Sequence, residues 1–88
     1  MSKISQEKIE KIKDEIIRIL YEDYPQFKYT SQISNILLRD KEFILDLLKE
    51  LKKLNLVISI EESKGKNVKR KWSLNKITYE KYKELLNI

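Results

Sequence analysis

Apolar residues recur at Ile9, Ile12, Ile16, Ile19 and Leu20, spacings of three and four that fall on one stripe of a helix. The pattern predicts a first helix over residues 6–24, with Ser5 as its N-cap and Glu7 at the positive end of the helix dipole. Ile17, Tyr21 and Tyr24 lie on a flank beside that stripe, so the apolar surface is wider than one contact needs and calls for a second cover. Pro25 closes the helix, because its ring and its restriction of Tyr24 both oppose helical continuation. Phe27-Lys28-Tyr29 then alternates apolar and polar residues with aromatic β-formers and predicts a short strand.

Thr30 and Ser31 are capping residues, and Ile33, Ile36 and Leu37 fit one face of a short helix to about Leu38. Arg39 and Asp40 interrupt it, with Asp40 placed to cap the next helix. The clearest periodicity is Ile44, Leu47, Leu48, Leu51 and Leu54, the buried stripe of a third helix from about Lys41 to Leu54. Asn55 accepts the left-handed conformation that ends helices. Next, Leu56-Val57-Ile58-Ser59-Ile60-Glu61-Glu62 changes to period two and β-branched residues, the signature of a strand. A basic segment with the sole glycine, Gly65, and Asn67 can turn, and Trp72 and Leu74 alternate with Lys71 and Ser73 in a returning strand. The hairpin spans residues 56–75. Thr78 is placed to cap a closing helix over residues 77–88, in which Tyr79, Tyr82, Leu85 and Leu86 share a side. With 88 residues and no repeat, low-complexity tract or linker, the chain reads as one domain, 1–88, of α+β, mainly helical class.

Charge sharpens this picture. The run from Ser63 to Lys71 holds five cations, Lys64, Lys66, Lys69, Arg70 and Lys71, and no anion, while the other 14 basic residues match the 14 acidic ones. The whole excess of +5 therefore sits in one segment. Such a local field attracts a polyanion, nucleic acid foremost. Lysines placed on a solvated hairpin against edge aggregation would look the same.

Composition removes other classes. The absence of Cys and His excludes disulfides, thiolate and imidazole metal sites, and Ser-His or Cys-His catalysis. The 14 carboxylates are dispersed along helices, and one glycine cannot make a phosphate loop. The chain is therefore expected not to be an enzyme and to need no cofactor or metal. The start Met1-Ser2-Lys3-Ile4-Ser5-Gln6-Glu7 has no apolar leader core, and no stretch approaches a membrane span; a cytoplasmic protein is expected.

The order of helix, short strand, short helix, tight turn, longer helix, strand, basic loop, strand and helix resembles the winged helix-turn-helix DNA-binding family over roughly residues 6–75. The resemblance is carried by Thr30-Ser31-Gln32-Ile33-Ser34-Asn35-Ile36-Leu37 as the first motif helix and by Ile44, Leu48, Leu51 and Leu54 in the second. Leu54-Asn55-Leu56-Val57 is similar to the family's step into the wing, and Lys71-Trp72-Ser73-Leu74-Asn75 to its returning strand. Residues 30–55 are then the helix-turn-helix. Leu38 departs from the pattern, standing where many members carry glycine.

The resemblance implies double-stranded DNA as partner, a role in transcription regulation, and the third helix in the major groove. The implied DNA-facing set is Ser31, Gln32, Arg39, Lys41, Glu42, Leu45, Asp46, Lys49, Lys53, Lys64, Lys66, Asn67, Lys69, Arg70 and Lys71. The third helix is poorly equipped to read bases: Lys41, Glu42 and Asp46 near its start carry net −1, and it has no Arg, Asn or Gln. Phosphate contacts would then fall to the wing, with Arg70 suited to a phosphate or a narrow minor groove. By strand alternation Arg70 shares the Trp72 face and could instead stack on aromatics. Ser31 and Gln32 are open to phosphate contact or ordinary capping, and Lys49 and Lys53 to backbone contact or a solvated face. Trp72 and the tyrosines fit core packing better than base stacking. Tyr79, Tyr82 and Leu86 match the flank of Ile17, Tyr21 and Tyr24; family members often dimerise through terminal helices, so this pairing is open to both a homodimer interface and packing within one chain. Glu42, Leu45 and Asp46 also suit a protein partner, the alternative to DNA.

Overall fold

The computed structural model describes residues 5–87, in the order α1 (Gln6–Asp23), β1 (Lys28–Tyr29), α2 (Thr30–Leu37), α3 (Lys41–Lys53), β2 (Val57–Lys64), β3 (Asn67–Leu74) and α4 (Lys76–Leu86). Residues 1–4 of the expected domain and the end of its last helix at 88 lie outside the described residues. The fold is α+β and mainly helical: a helix-turn-helix, a β-hairpin wing and an added fourth helix. The sheet is antiparallel with strand order β1-β3-β2. No helix among the described residues is long and apolar enough to cross a membrane.

Ser5 caps α1, its hydroxyl accepting the Lys8 N–H at 3.3 Å. Ile12, Ile16, Ile17 and Leu20 of α1 meet Ile33 of α2 and Ile44, Leu47, Leu48 and Leu51 of α3, and Val57, Trp72 and Leu74 close the core from the sheet. Asp40 caps α3 by accepting the Phe43 N–H at 3.2 Å. At the far end Asn55 has φ 61°; its N–H reaches Lys52 O at 2.9 Å and that of Leu56 reaches Leu51 O at 3.0 Å, a Schellman ending.

The same geometry ends α2. Leu38 takes φ 53° and ψ 44°, with Leu38 N–H donating to Asn35 O and Arg39 N–H to Ser34 O. The turn therefore keeps the left-handed residue that a glycine would supply, and the leucine side chain stands 90% exposed.

Four expectations are corrected. The cap of α2 is Tyr29, with Gln32 Oε1 accepting the Tyr29 N–H at 2.8 Å, and Thr30 lies inside the helix. Asn75, which accepts the Ile77 N–H at 2.9 Å, caps α4 in place of Thr78. Leu54 and Ile36 are 63% and 54% exposed. Leu54 sits past the last helical residue, and α2 turns Ile33 and the small Ser34 inward, the Ser34 hydroxyl donating to Ser31 O at 3.0 Å. The wing strands also run further out than expected. Lys64 pairs with Asn67, so only Gly65 and Lys66 form the turn, with Gly65 at φ 60°, and the basic run is mainly strand.

One buried contact seats the wing on the helix-turn-helix. Trp72 Nε1 donates to Thr30 Oγ1 at 2.8 Å, and the Thr30 hydroxyl donates to Arg70 O at 3.4 Å. Thr30→Val keeps the shape but leaves the indole N–H without an acceptor, and is expected to lower unfolding stability by about 1–3 kcal/mol in urea titrations. Leu38→Gly is expected to act in the opposite sense, gaining about 0.5–1 kcal/mol as the left-handed strain exceeds the added unfolded-state entropy.

Candidate nucleic-acid interface

Burial of Ile44, Leu47, Leu48 and Leu51 turns the opposite face of α3 outward. With the start of α2 and residues 68–70 of β3, that face walls a groove of about 430 Å³ lined by Tyr29, Thr30, Ser31, Lys41, Glu42, Leu45, Lys49, Val68, Lys69 and Arg70. Seven of the fifteen residues expected to face DNA are thus gathered in one place: Ser31, Lys41, Glu42, Leu45, Lys49, Lys69 and Arg70. The lining carries four cations and one anion.

The remainder of the set lies elsewhere. Gln32 is engaged through its Oε1 in the α2 cap. Arg39, Asp46 and Lys53 are exposed outside the groove lining. Lys64 and Asn67, with Tyr29, Glu62 and Lys69, line a second depression of about 190 Å³, and Lys66 is at the turn.

The wing is less positive than its linear sequence. In the β2–β3 register Glu61 stands opposite Arg70 and Glu62 opposite Lys69. Arg70 Nε lies 3.0 Å from Glu61 Oε1, and Lys71 Nζ lies 2.7 Å from Glu62 Oε1. Arg70 shares the Trp72 side, as alternation requires, but its partner there is a carboxylate. Two of the five wing cations are therefore compensated in place, and Lys64, Lys66 and Lys69 have no carboxylate within 4.0 Å among the described residues. Lys69 Nζ sits 5.8 Å from the Tyr29 ring centroid and Lys71 Nζ 5.9 Å from that of Phe27, within cation–π range.

Glu62 is the hub of the outer side. It accepts from Lys71 and, through Oε2, from the Tyr29 hydroxyl at 3.1 Å. The hydrogen bond from Lys71, then that from Tyr29, holds the Glu62 carboxyl below its ordinary pKa, and the bond to Glu62 raises the Lys71 ammonium above its own.

Of the residues expected at a dimer interface, the aromatic ones pack within the chain. Tyr21 and Tyr79 stack at 5.1 Å between centroids, Tyr24 and Tyr79 at 4.0 Å, and Tyr21 and Tyr82 meet at 4.9 Å, while Ile17 is buried. Leu86 is 58% exposed. Among the described residues no group of three or more acidic, Cys or His side chains is placed to hold a metal ion.

The depressed Glu62 pKa contributes stability that is present above the ordinary carboxylate range and lost as pH falls through the folded-state value. The raised Lys71 pKa contributes stability present below the ordinary lysine range and lost only as pH rises through its elevated value. A Glu62→Gln variant is accordingly expected to be less stable than wild type by a constant margin between about pH 6 and pH 9, and the margin is expected to close on acidification. Urea midpoints across pH check this.

No known family profile matches the chain, and no curated protein matches it by sequence. Among solved structures, an apo form of a double mutant of ZitR from Lactococcus lactis is similar, with a TM-score of 0.70 and 22% identity over 92% of this chain. The chain spans 58% of the length of that structure. At this identity the likeness is one of fold.

Proposed function

We propose that this chain is a double-stranded DNA-binding protein of the cytoplasm, acting in transcription regulation, with α3 in the major groove and the wing on phosphates. The observation that carries the reading is the single groove in which the outward face of α3 and the middle of β3 bring Lys41, Lys49, Lys69 and Arg70 together with Ser31. Such a concave, cationic surface on a helix-turn-helix suits a polyanionic duplex. The fold likeness to ZitR accords with it.

The ion pairs of the wing set the expected strength. Five free cations would contribute about −4.5 to the slope of log K against log salt, but with Arg70 and Lys71 held by Glu61 and Glu62 the wing contributes about −2.7 per subunit. Fluorescence anisotropy on duplex DNA over a salt series is the test. Lys69→Gln is expected to flatten the slope by about one, Lys71→Gln to leave it unchanged, and Glu61→Gln to steepen it by freeing the Arg70 guanidinium from its carboxylate partner. Equal effects of Lys69→Gln and Lys71→Gln would contradict the assignment.

A homodimer is part of the proposal, but the tyrosines hold α4 to its own α1. The proposed two-fold contact therefore uses the apolar residues of α4 that this packing leaves exposed, Ile77, Leu85 and Leu86. Sedimentation equilibrium is expected to give a dimer that Leu86→Lys disperses; a monomer in both cases removes this element. The second reading, a protein-interaction module, is favoured by Glu42 and Leu45 in the groove and by the compensated wing. Absence of duplex affinity at low salt, with a co-purifying partner lost on Leu45→Arg, would establish it instead.

A further inference from the structure

We infer that α3 has a base preference of its own: Glu42 selects a C·G pair through the cytosine amino group, and Leu45 selects a thymine within two base pairs of it through the methyl group. This inference rests on the DNA-binding reading above and adds to it which bases are read and by which atoms.

Glu42 is the second residue of α3, is exposed and lines the groove, and no cation lies within 4.0 Å of it among the described residues. It is the only anion lining a groove that also holds Lys41, Lys49, Lys69 and Arg70. An unpaired carboxylate there meets the duplex with acceptor atoms only. The major-groove edge offers two donors, cytosine N4 and adenine N6. Adenine N6 sits beside N7, an acceptor that repels a carboxylate oxygen, whereas the neighbour of cytosine N4 is a C–H. Guanine and thymine present acceptors at the corresponding place and are rejected. The same carboxylate that weakens general attraction to phosphate therefore selects one base.

Leu45 is the apolar residue that α3 contributes to the groove, half-buried with its inner side on the core. Three residues from Glu42 it stands about 4.5 Å further along the helix axis, against about 3.4 Å per base step, which sets the separation of the two readouts at one or two base pairs. The thymine methyl is the only apolar group on the major-groove edge for it to meet. Lys41 and Lys49 flank the pair and are left to phosphates.

The test is selection from a duplex library with a randomised centre, sequenced after retention on wild type, Glu42→Gln and Glu42→Ala protein, followed by affinities for the selected duplex. Wild type is expected to fix a C with a T one or two pairs away, and replacing that C·G pair is expected to weaken binding about tenfold. Glu42→Gln is expected to move the C position toward A while the rest of the site stays, and Glu42→Ala to leave it undetermined. Deoxyuridine in place of the selected thymidine removes only the methyl group, and is expected to cost wild type about threefold to fourfold and Leu45→Ala nothing. Retention of C by Glu42→Gln, or equal affinity for the deoxyuridine duplex on wild type, overturns the inference while DNA binding stands. Failure of wild type to retain any duplex at low salt removes the DNA-binding reading itself, and the base preference with it.

Discussion

The buried hydrogen bond from the Trp72 indole to the Thr30 hydroxyl is the contact on which the arrangement of this protein depends. Trp72 is 1% exposed and Thr30 4%, so the indole N–H has no access to water and must find its acceptor inside. That requirement fixes β3 against the first residue of α2. The same hydroxyl reaches Arg70 O two residues along β3, and the next residue of α2, Ser31, lines the groove. Helix and wing are thereby held as two walls of one cleft rather than as a domain with a loose hairpin. β1 completes the seat, pairing Lys28 with Trp72 and Tyr29 with Lys71.

Charge shows how far folding alters a linear reading. Along the chain the wing's cations are uninterrupted, because the nearest acidic residues, Glu61 and Glu62, precede the run. An antiparallel hairpin with a two-residue turn places residues before the run beside residues within it, and this register sets Glu61 across from Arg70. Lys71 finds Glu62 diagonally. What remains for a ligand is a cation pattern drawn from both α3 and β3, in which Lys41, Lys49 and Lys69 are free of carboxylate partners among the described residues.

Elements with long, regular periodicity were legible from residues alone. The stripes of α1 and α3, the caps at Ser5 and Asp40, the left-handed Asn55 and the alternation around Trp72 all follow from local chemistry. Short elements were less so, since α2 has eight residues and its cap is chosen by a tertiary constraint. Once Thr30 is taken by Trp72, Tyr29 and Gln32 close the helix end instead. For the candidate groove, the residues expected from sequence carried no information on their grouping: that Lys69 and Arg70 line the same groove as Lys41 and Lys49 depends on how the hairpin is seated beside α3, which periodicity does not encode. The expected pairing of the chain's two ends was legible as matching aromatic flanks, and Tyr21, Tyr24 and Tyr79 meet within one chain.

The hairpin is also a mechanical arm. Six residues along β3 separate the anchored indole from Lys66 at the turn, about 20 Å of extended strand. A rotation of about 10° at the anchor therefore displaces the tip by about 3.5 Å over that length, roughly the thickness of an aromatic ring. Whatever perturbs the seat of Trp72, however slightly, is magnified at the end of the arm.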